Sequence, residues 1–280
     1  DPRFAETLAD LIASSDDYAF VAQVFALPSE SDIGREIQSD IDPDAIYAVR
    51  KALRESIGHH IAPALAKAHE ALAQTEPYQP DARSAGRRAL RNTALDLLVA
   101  GNPDRYLPLA ERCYHEADNM TDRMAALAAL CQTPNDKREH ALADFATRYK
   151  DEALALDKWF ALQASLPEAA TLERVKGLMR HPGFSMNNPN RVRSLIGVFS
   201  LSNPTQFNRV DGAGYDFLAE IVMTLDSSNP QVAARILSAF RTWRSYETSR
   251  RTKAGEALRR ISDHSSLSAD VADIVVRSLA

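Results

Sequence analysis

The chain has 280 residues, with 33 Lys+Arg against 38 Asp+Glu, a formal net charge of −5, and 45% hydrophobic residues. A chain of this length and balance buries a sizeable core without staples and excludes disorder. No run approaches the ~18 consecutive apolar residues that a membrane-spanning helix needs, and two cysteines, Cys113 and Cys131, exclude a disulfide framework and point to a reducing, cytoplasmic setting.

The apolar residues set the fold class. There are 45 Ala and 29 Leu but only 13 Val and 12 Ile, and Gly is 10 of 280. Ala and Leu lose little freedom in a helix, β-branched residues prefer strands, and tight hairpins need glycine. An all-α chain is expected. The first residue is Asp1, with no initiator Met, basic n-region or apolar h-region, which reads as a piece of a longer polypeptide.

In chain order, the pattern predicts helices over 3–14, 16–26, 29–38, 43–74, 82–100, 103–117, 120–132, 135–150, 152–165, 168–180, 189–200, 211–226, 230–247, 249–262 and 268–279. Ile46, Val49, Leu53, Ile57, Ile61, Leu65 and Leu72 form one apolar stripe at helical spacing, with a kink expected at Pro63. Val232, Ile236, Phe240 and Trp243 form a second. Asp42-Pro43, Asn102-Pro103, Asn188-Pro189, Asn203-Pro204 and Asn229-Pro230 each place a capping side chain before a proline, a helix-start signal. Short connections imply antiparallel neighbours, and many short helices in series imply stacked pairs in a curved, α-solenoid-like superhelical array. The segment 74–82 reads as a linker between an N-terminal helical subdomain, 1–75, and a main array, 82–280.

Charge is uneven. Residues 1–44 hold eleven acids and two bases, and residues 235–260 hold eight bases and two acids. The basic stretch reads as the solvated face of amphipathic helices. No nucleic-acid-binding signature accompanies it, so neither nucleic acid nor membrane is expected as a partner.

Catalytic signatures are absent. His115-Glu116-Ala117-Asp118-Asn119 lacks the second histidine of a zinc-hydrolase motif and reads as a polar helix end followed by a cap. His59 and His60 point about 100° apart on a helix, which does not suit chelation. His181, beside Pro182-Gly183, reads as a helix C-terminus. Gly212-Ala213-Gly214 reads as a turn into a helix, and Trp159-Phe160 as packing residues. No metal site, nucleophile or cofactor is expected in the chain. Arg191 and Arg193 point about 200° apart on a helix, so one can turn inward while the other meets solvent. Arg235, in the first turns of its helix, is placed either for a structural ion pair or for the carboxylate of a ligand.

Several strings, taken together, have a family likeness: Leu27-Pro28-Ser29-Glu30, Asp40-Ile41-Asp42-Pro43-Asp44-Ala45-Ile46, Arg88-Ala89-Leu90-Arg91-Asn92, Asn119-Met120-Thr121-Asp122-Arg123, Asp157-Lys158-Trp159-Phe160, Asn188-Pro189-Asn190-Arg191-Val192-Arg193-Ser194-Leu195, Asp211-Gly212-Ala213-Gly214-Tyr215 and Asn229-Pro230-Gln231-Val232. In this order they resemble the C-terminal helical domain of the bacterial aminopeptidase N family, gluzincin enzymes of proteobacterial type.

The resemblance implies a parent enzyme that removes N-terminal residues from peptides with a zinc-bound water. Its zinc motif His-Glu-x-x-His and its amine-binding loop lie in an upstream domain, and neither string is present here. The expected role is a cap that encloses the active-site cavity and gates peptide access, without catalysis of its own. Its partners would be the catalytic and N-terminal domains of the same polypeptide and peptide substrates, and zinc would belong to the catalytic domain. The resemblance also implies that Arg193 and Arg235 line the substrate channel. The alternative is a free-standing helical-repeat scaffold that binds a protein partner.

Overall fold

A computed structural model describes residues 2–73 and 78–280. The helices are α1 (Pro2–Ser14), α2 (Tyr18–Val24), α3 (Glu30–Ile37), α4 (Pro43–His60), α5 (Ala62–Ala71), α6 (Ala82–Gly101), α7 (Pro103–Glu116), α8 (Met120–Leu130) and α9 (Asp136–Arg148). They continue with α10 (Ala153–Ala164), α11 (Thr171–Leu178), α12 (Pro189–Val192), α13 (Val198–Ser202), α14 (Pro204–Phe207), α15 (Ala213–Asp226), α16 (Pro230–Leu237), α17 (Thr248–Ser262) and α18 (Ala269–Leu279). A π-helical turn, Arg193–Gly197, joins α12 to α13. The β pairing among the described residues is one isolated parallel bridge, Ile41 with Tyr246. The expected all-α array is what the chain forms.

The five Asn/Asp-Pro pairs work as read. Asp42 Oδ1 accepts from the Asp44 amide at 2.9 Å, Asn102 from Arg105 at 3.1 Å, and Asn188 from Asn190 at 3.0 Å. Asn203 accepts from Gln206 at 3.3 Å and Asn229 from Val232 at 3.2 Å. The helix expected over 43–74 breaks at Ile61, because Pro63 lies at the start of α5 and has no amide to continue the ladder. The stripe proposed along it divides: Ile46, Ile57, Ile61, Leu65 and Leu72 are buried, but Val49 is 70% and Leu53 40% exposed. The helix expected over 230–247 stops at Leu237 and continues as 3₁₀ turns at Ser238–Phe240 and Trp243–Ser245. Of the expected linker, 74–77 lies outside the described residues.

The chain divides into two compact units, Asp1–Pro28 with Ala48–Phe145, and Ser29–Tyr47 with Ala146–Ala280. These bounds differ from the expected 1–75 and 82–280, because α5 and α6, on either side of the linker, pack against each other inside the first unit. In that unit α6 is the central helix, touching α2, α5, α7 and α8. It is buried nearly all round, through Leu90, Ala94, Leu95, Leu97, Leu98 and Val99, as a helix enclosed by neighbours must be.

The second unit packs α15 against α16 and α17, and α18 against α16 and α17. Its core is aromatic: Phe207 sits 5.2 Å from Tyr215 and 5.7 Å from Phe240, centroid to centroid, in near-perpendicular contacts. The early segment Ser29–Tyr47 is stitched into this unit. Gln38 and Asp40 take positive φ, 72° and 51°, and turn the chain after α3. The Ile41 amide then donates to the Ser245 carbonyl at 2.9 Å, and the Glu247 amide to the Ile41 carbonyl at 3.1 Å.

Candidate functional site

The two arginines of Asn188-Pro189-Asn190-Arg191-Val192-Arg193 divide as the spacing predicts. Arg191 turns inward and is 6% exposed. Its Nε donates to the Gly183 carbonyl at 2.7 Å and its guanidinium to the Ala153 carbonyl at 2.8 Å and to Asp157. Asp157 also accepts from the Ser194 hydroxyl at 3.1 Å. Arg191 therefore ties the start of α10 and the 181–184 loop to the base of the π-helical turn. Arg193 opens that turn, is exposed, and donates to Asn190 Oδ1 at 3.1 Å. π-Helical turns widen the helix and recur at functional sites, a feature the sequence did not signal.

Arg235 lies on α16, which packs against the π-helical turn. The neighbours Val232, Ala233, Ala234, Ile236 and Leu237 are buried, so packing fixes the helix while the Arg235 side chain is exposed. No ion-pair partner for Arg235 exists among the described residues. The structure therefore brings the elements of Arg193 and Arg235 together and leaves both guanidiniums in solvent.

The other sequence candidates are structural. Trp159 and Phe160 are 6% and 0% exposed and pack on His181, 5.1 and 5.6 Å between centroids. His181 Nδ1 accepts from the Gly183 amide at 3.0 Å. His115 and Glu116 end α7, and Asn119 caps α8, accepting from Asp122 at 3.0 Å. Gly212 adopts φ 80° as the turn before α15. Among the described residues, no three or more His, Cys, Asp and Glu side chains come close enough to hold a metal ion.

Sequence reasoning missed two clusters. The first is Arg250, inside the basic run yet 3% exposed. It donates to the Asn208 carbonyl at 2.6 Å, to Asp42 at 3.3 Å, to Glu247 at 3.1 Å and to Asp44. Burial works to raise the Glu247 carboxyl, but hydrogen bonds from Ser249 and the Arg250 amide hold it below its usual range. Beside this cluster lies a cleft of about 560 Å³, lined by apolar residues such as Ile41, Leu201 and Phe207 and by the charged Glu30, Arg35 and Arg241.

The second is a buried pair in the first unit. His69 Nε2 lies 3.6 Å from Cys113 Sγ, 44 residues away in sequence. Burial, and then Arg91 and Arg112, lower His69 from 6.5 to about 4, while burial raises the Cys113 thiol. Both shifts favour a neutral imidazole beside a neutral thiol, the opposite of an activated thiolate pair.

Comparison with known proteins agrees with the all-α fold. The family described as "Domain of unknown function (DUF3458_C) ARM repeats" matches residues 1–280. Aminopeptidase N of Escherichia coli (strain K12) is 37% identical over 272 residues, covering 97% of this chain and 31% of that protein. Aminopeptidase N of Caulobacter vibrioides is 36% identical over 278 residues, covering 99% of this chain and 32% of that protein. A crystal structure of Legionella pneumophila aminopeptidase A in complex with aspartic acid superposes with a TM-score of 0.89 at 26% identity, over 100% of this chain and 34% of the other. The chain thus spans about a third of the length of the relatives it matches, and the likeness read from short strings extends along nearly all of it. Matched from its first residue to its last, this array of helices belongs to the DUF3458_C ARM-repeat family and is homologous to part of bacterial proteins named Aminopeptidase N.

Proposed function

We propose that the chain is the C-terminal cap domain of a zinc aminopeptidase of the aminopeptidase N type, which covers the active-site cavity and gates the entry of peptides. The observation that carries this reading is the alignment of 97% of the chain with 31% of an Aminopeptidase N. The relatives contain this helical array and roughly twice as much chain besides. A cap of this kind admits short peptides, excludes folded proteins, and keeps bulk water from the reacting groups, which strengthens electrostatic interactions there.

The donor groups among the described residues do not fit a zinc ion. In this reading the metal is held by a catalytic domain outside the 280 residues, and no chemical step is assigned to this chain. Its partners are the catalytic and N-terminal domains of the same polypeptide and the peptides that pass between them. The two thiols, both buried and free, suit a cytoplasmic protein.

Arg193 and Arg235 are the residues that meet substrate. Each is exposed, on neighbouring elements of one unit, without a carboxylate partner among the described residues. Their role is to hold the carboxylate end or backbone of a short peptide by charge-assisted hydrogen bonds. The test is peptide kinetics on the full-length enzyme. Arg193→Ala and Arg235→Ala are expected to raise KM by about tenfold and to change kcat less, because the contact is made equally before and during reaction. The isolated chain is expected to release no N-terminal residue with or without zinc. An unchanged KM in both variants removes the arginines from the reading, and zinc-dependent release by the isolated chain overturns it.

A further inference from the structure

The basic run at 235–260 encloses a hollow that peptide gating does not use. It measures about 390 Å³ and is lined by Trp243, Arg244, Arg251, Thr252, Gly255 and Arg259, three arginines and no acid. Its form follows from α17. Arg251, Gly255 and Arg259 recur at four-residue steps, so they lie along one face. Gly255 leaves the middle of that face bare, and the indole of Trp243 covers it. A β-carbon there would meet the indole ring at 3.2 Å and an Arg259 guanidinium nitrogen at 3.8 Å. Arg244 stacks on the same indole, with its guanidinium carbon 4.5 Å from the ring centre.

The positive charge in this hollow is not neutralised. Arg244 donates to the Ser278 and Leu279 carbonyls at 2.5 and 2.7 Å, which fix its position but carry no net charge. Arg251 donates to the Thr248 hydroxyl at 3.2 Å. Arg259 has neither ion pair nor side-chain hydrogen bond among the described residues. Acids on the surrounding elements pair with other cations: Glu247 with Arg250 at 3.1 Å, Glu256 with Lys253 at 3.2 Å, and Asp273 with Arg277 at 3.0 Å. Glu256 and Asp263 line an adjoining hollow that shares Arg259 and also holds Arg260 and His264, and neither acid lines the arginine hollow itself. Three like charges gathered around one space, in a chain of net charge −5, repel one another until an anion sits between them.

We propose that this hollow is a binding site for a small multivalent oxyanion, held by the guanidiniums of Arg251, Arg259 and Arg244 with the Thr252 hydroxyl as a further donor. Guanidinium forks pair two-to-two with phosphate and carboxylate oxygens, so the shared chemistry is a compact anion with several oxyanion groups. Tripolyphosphate and citrate represent its two sources.

Calorimetric titration of the 280-residue chain at physiological salt tests the site. Saturable binding of at least one of the two anions is expected, with a change in Trp243 fluorescence over the same concentration range. The tighter of the two identifies the source. The double variant Arg251→Ala/Arg259→Ala is expected to weaken binding by about tenfold or more, and Arg259→Lys, which keeps the charge but loses the fork, to weaken it less. Arg180→Ala removes one exposed positive charge that does not line the hollow and is expected to leave binding within about twofold, as a screened charge outside the site should. The proposal is overturned by the absence of saturable binding for both anions. It is equally overturned if Arg180→Ala weakens binding as much as the double variant, since the interaction is then net charge alone.

Discussion

At the scale of single residues, the environment of a side chain decides its chemistry more than its neighbours in sequence do. His69 is 7% exposed, and burial, then Arg91 and Arg112, lowers it from 6.5 to about 4. In the folded chain at neutral pH it is an uncharged imidazole. In the unfolded chain it takes up a proton near 6.5. Between those values the unfolded state binds more protons, so stability rises with pH. The contribution is fully present above about pH 7 and is lost as pH falls toward about 4, by roughly 3 kcal/mol in all. Urea unfolding of the wild type and of His69→Leu across this range checks it. The variant is expected to lose the part of the acid destabilisation that lies between pH 6.5 and 4, so the two stability profiles converge as pH falls. Parallel profiles would show that His69 is not held neutral by burial. No string announces this pair, because Cys113 is brought to His69 by tertiary packing alone.

At the scale of elements, much was legible and the failures have physical reasons. Starts were readable because an Asn or Asp oxygen and a proline act within four residues. Ends and stripes were less so, because which face of a helix is buried depends on what packs against it. Val49 and Leu53 have the spacing of core residues, yet they stay 70% and 40% exposed. A sequence also cannot show where two backbones touch. In the first unit α4 crosses α6 at Gly58 and Gly101. A β-carbon on Gly58 would sit 2.0 Å from the Leu97 carbonyl oxygen, and one on Gly101 2.3 Å from the Gly58 carbonyl carbon. Helix propensity favours alanine by about 1 kcal/mol, but the clash is with backbone, which cannot rotate away. Gly58→Ala and Gly101→Ala are each expected to destabilise the chain by about 3 kcal/mol, at the upper end of overpacking costs. Gly177, near the end of α11, has nothing within 4 Å, so Gly177→Ala is expected to stabilise by about 0.5–1 kcal/mol. Denaturant midpoints of the three variants decide. Three stabilising shifts would mean that propensity, not the crossing, governs these sites.

At the scale of the whole molecule, the uneven charge has a partly internal explanation. Asp42 and Asp44 from the acidic end meet Arg250 from the basic run, so some of both excesses stitches Ser29–Tyr47 into the second unit. The exposed apolar residues have no such internal use. Phe20 and Val24 on α2 are 55% and 39% exposed, and Val49 and Leu53 on α4 are 70% and 40% exposed. Single exposed apolar residues are ordinary, but each of these pairs is four residues apart and forms a stripe along its helix. The chain spans about a third of its relatives' length, and under the proposed cap reading such stripes are the faces that the other domains would cover. The double variant Val49→Asp/Leu53→Asp separates the two uses of a residue. If these side chains serve the chain's own core, thermal stability falls. If they serve a neighbouring domain, stability changes by no more than about 0.5 kcal/mol, as for other surface substitutions. Under the proposed reading, affinity for the separately produced catalytic and N-terminal domains then drops by about tenfold or more, the loss expected when charge enters a desolvated contact. Calorimetric unfolding of the chain and titration with the catalytic and N-terminal domains of the proposed parent enzyme measure the two quantities independently. The second outcome is expected, and unchanged affinity with unchanged stability would remove this face of α4 from the docking surface.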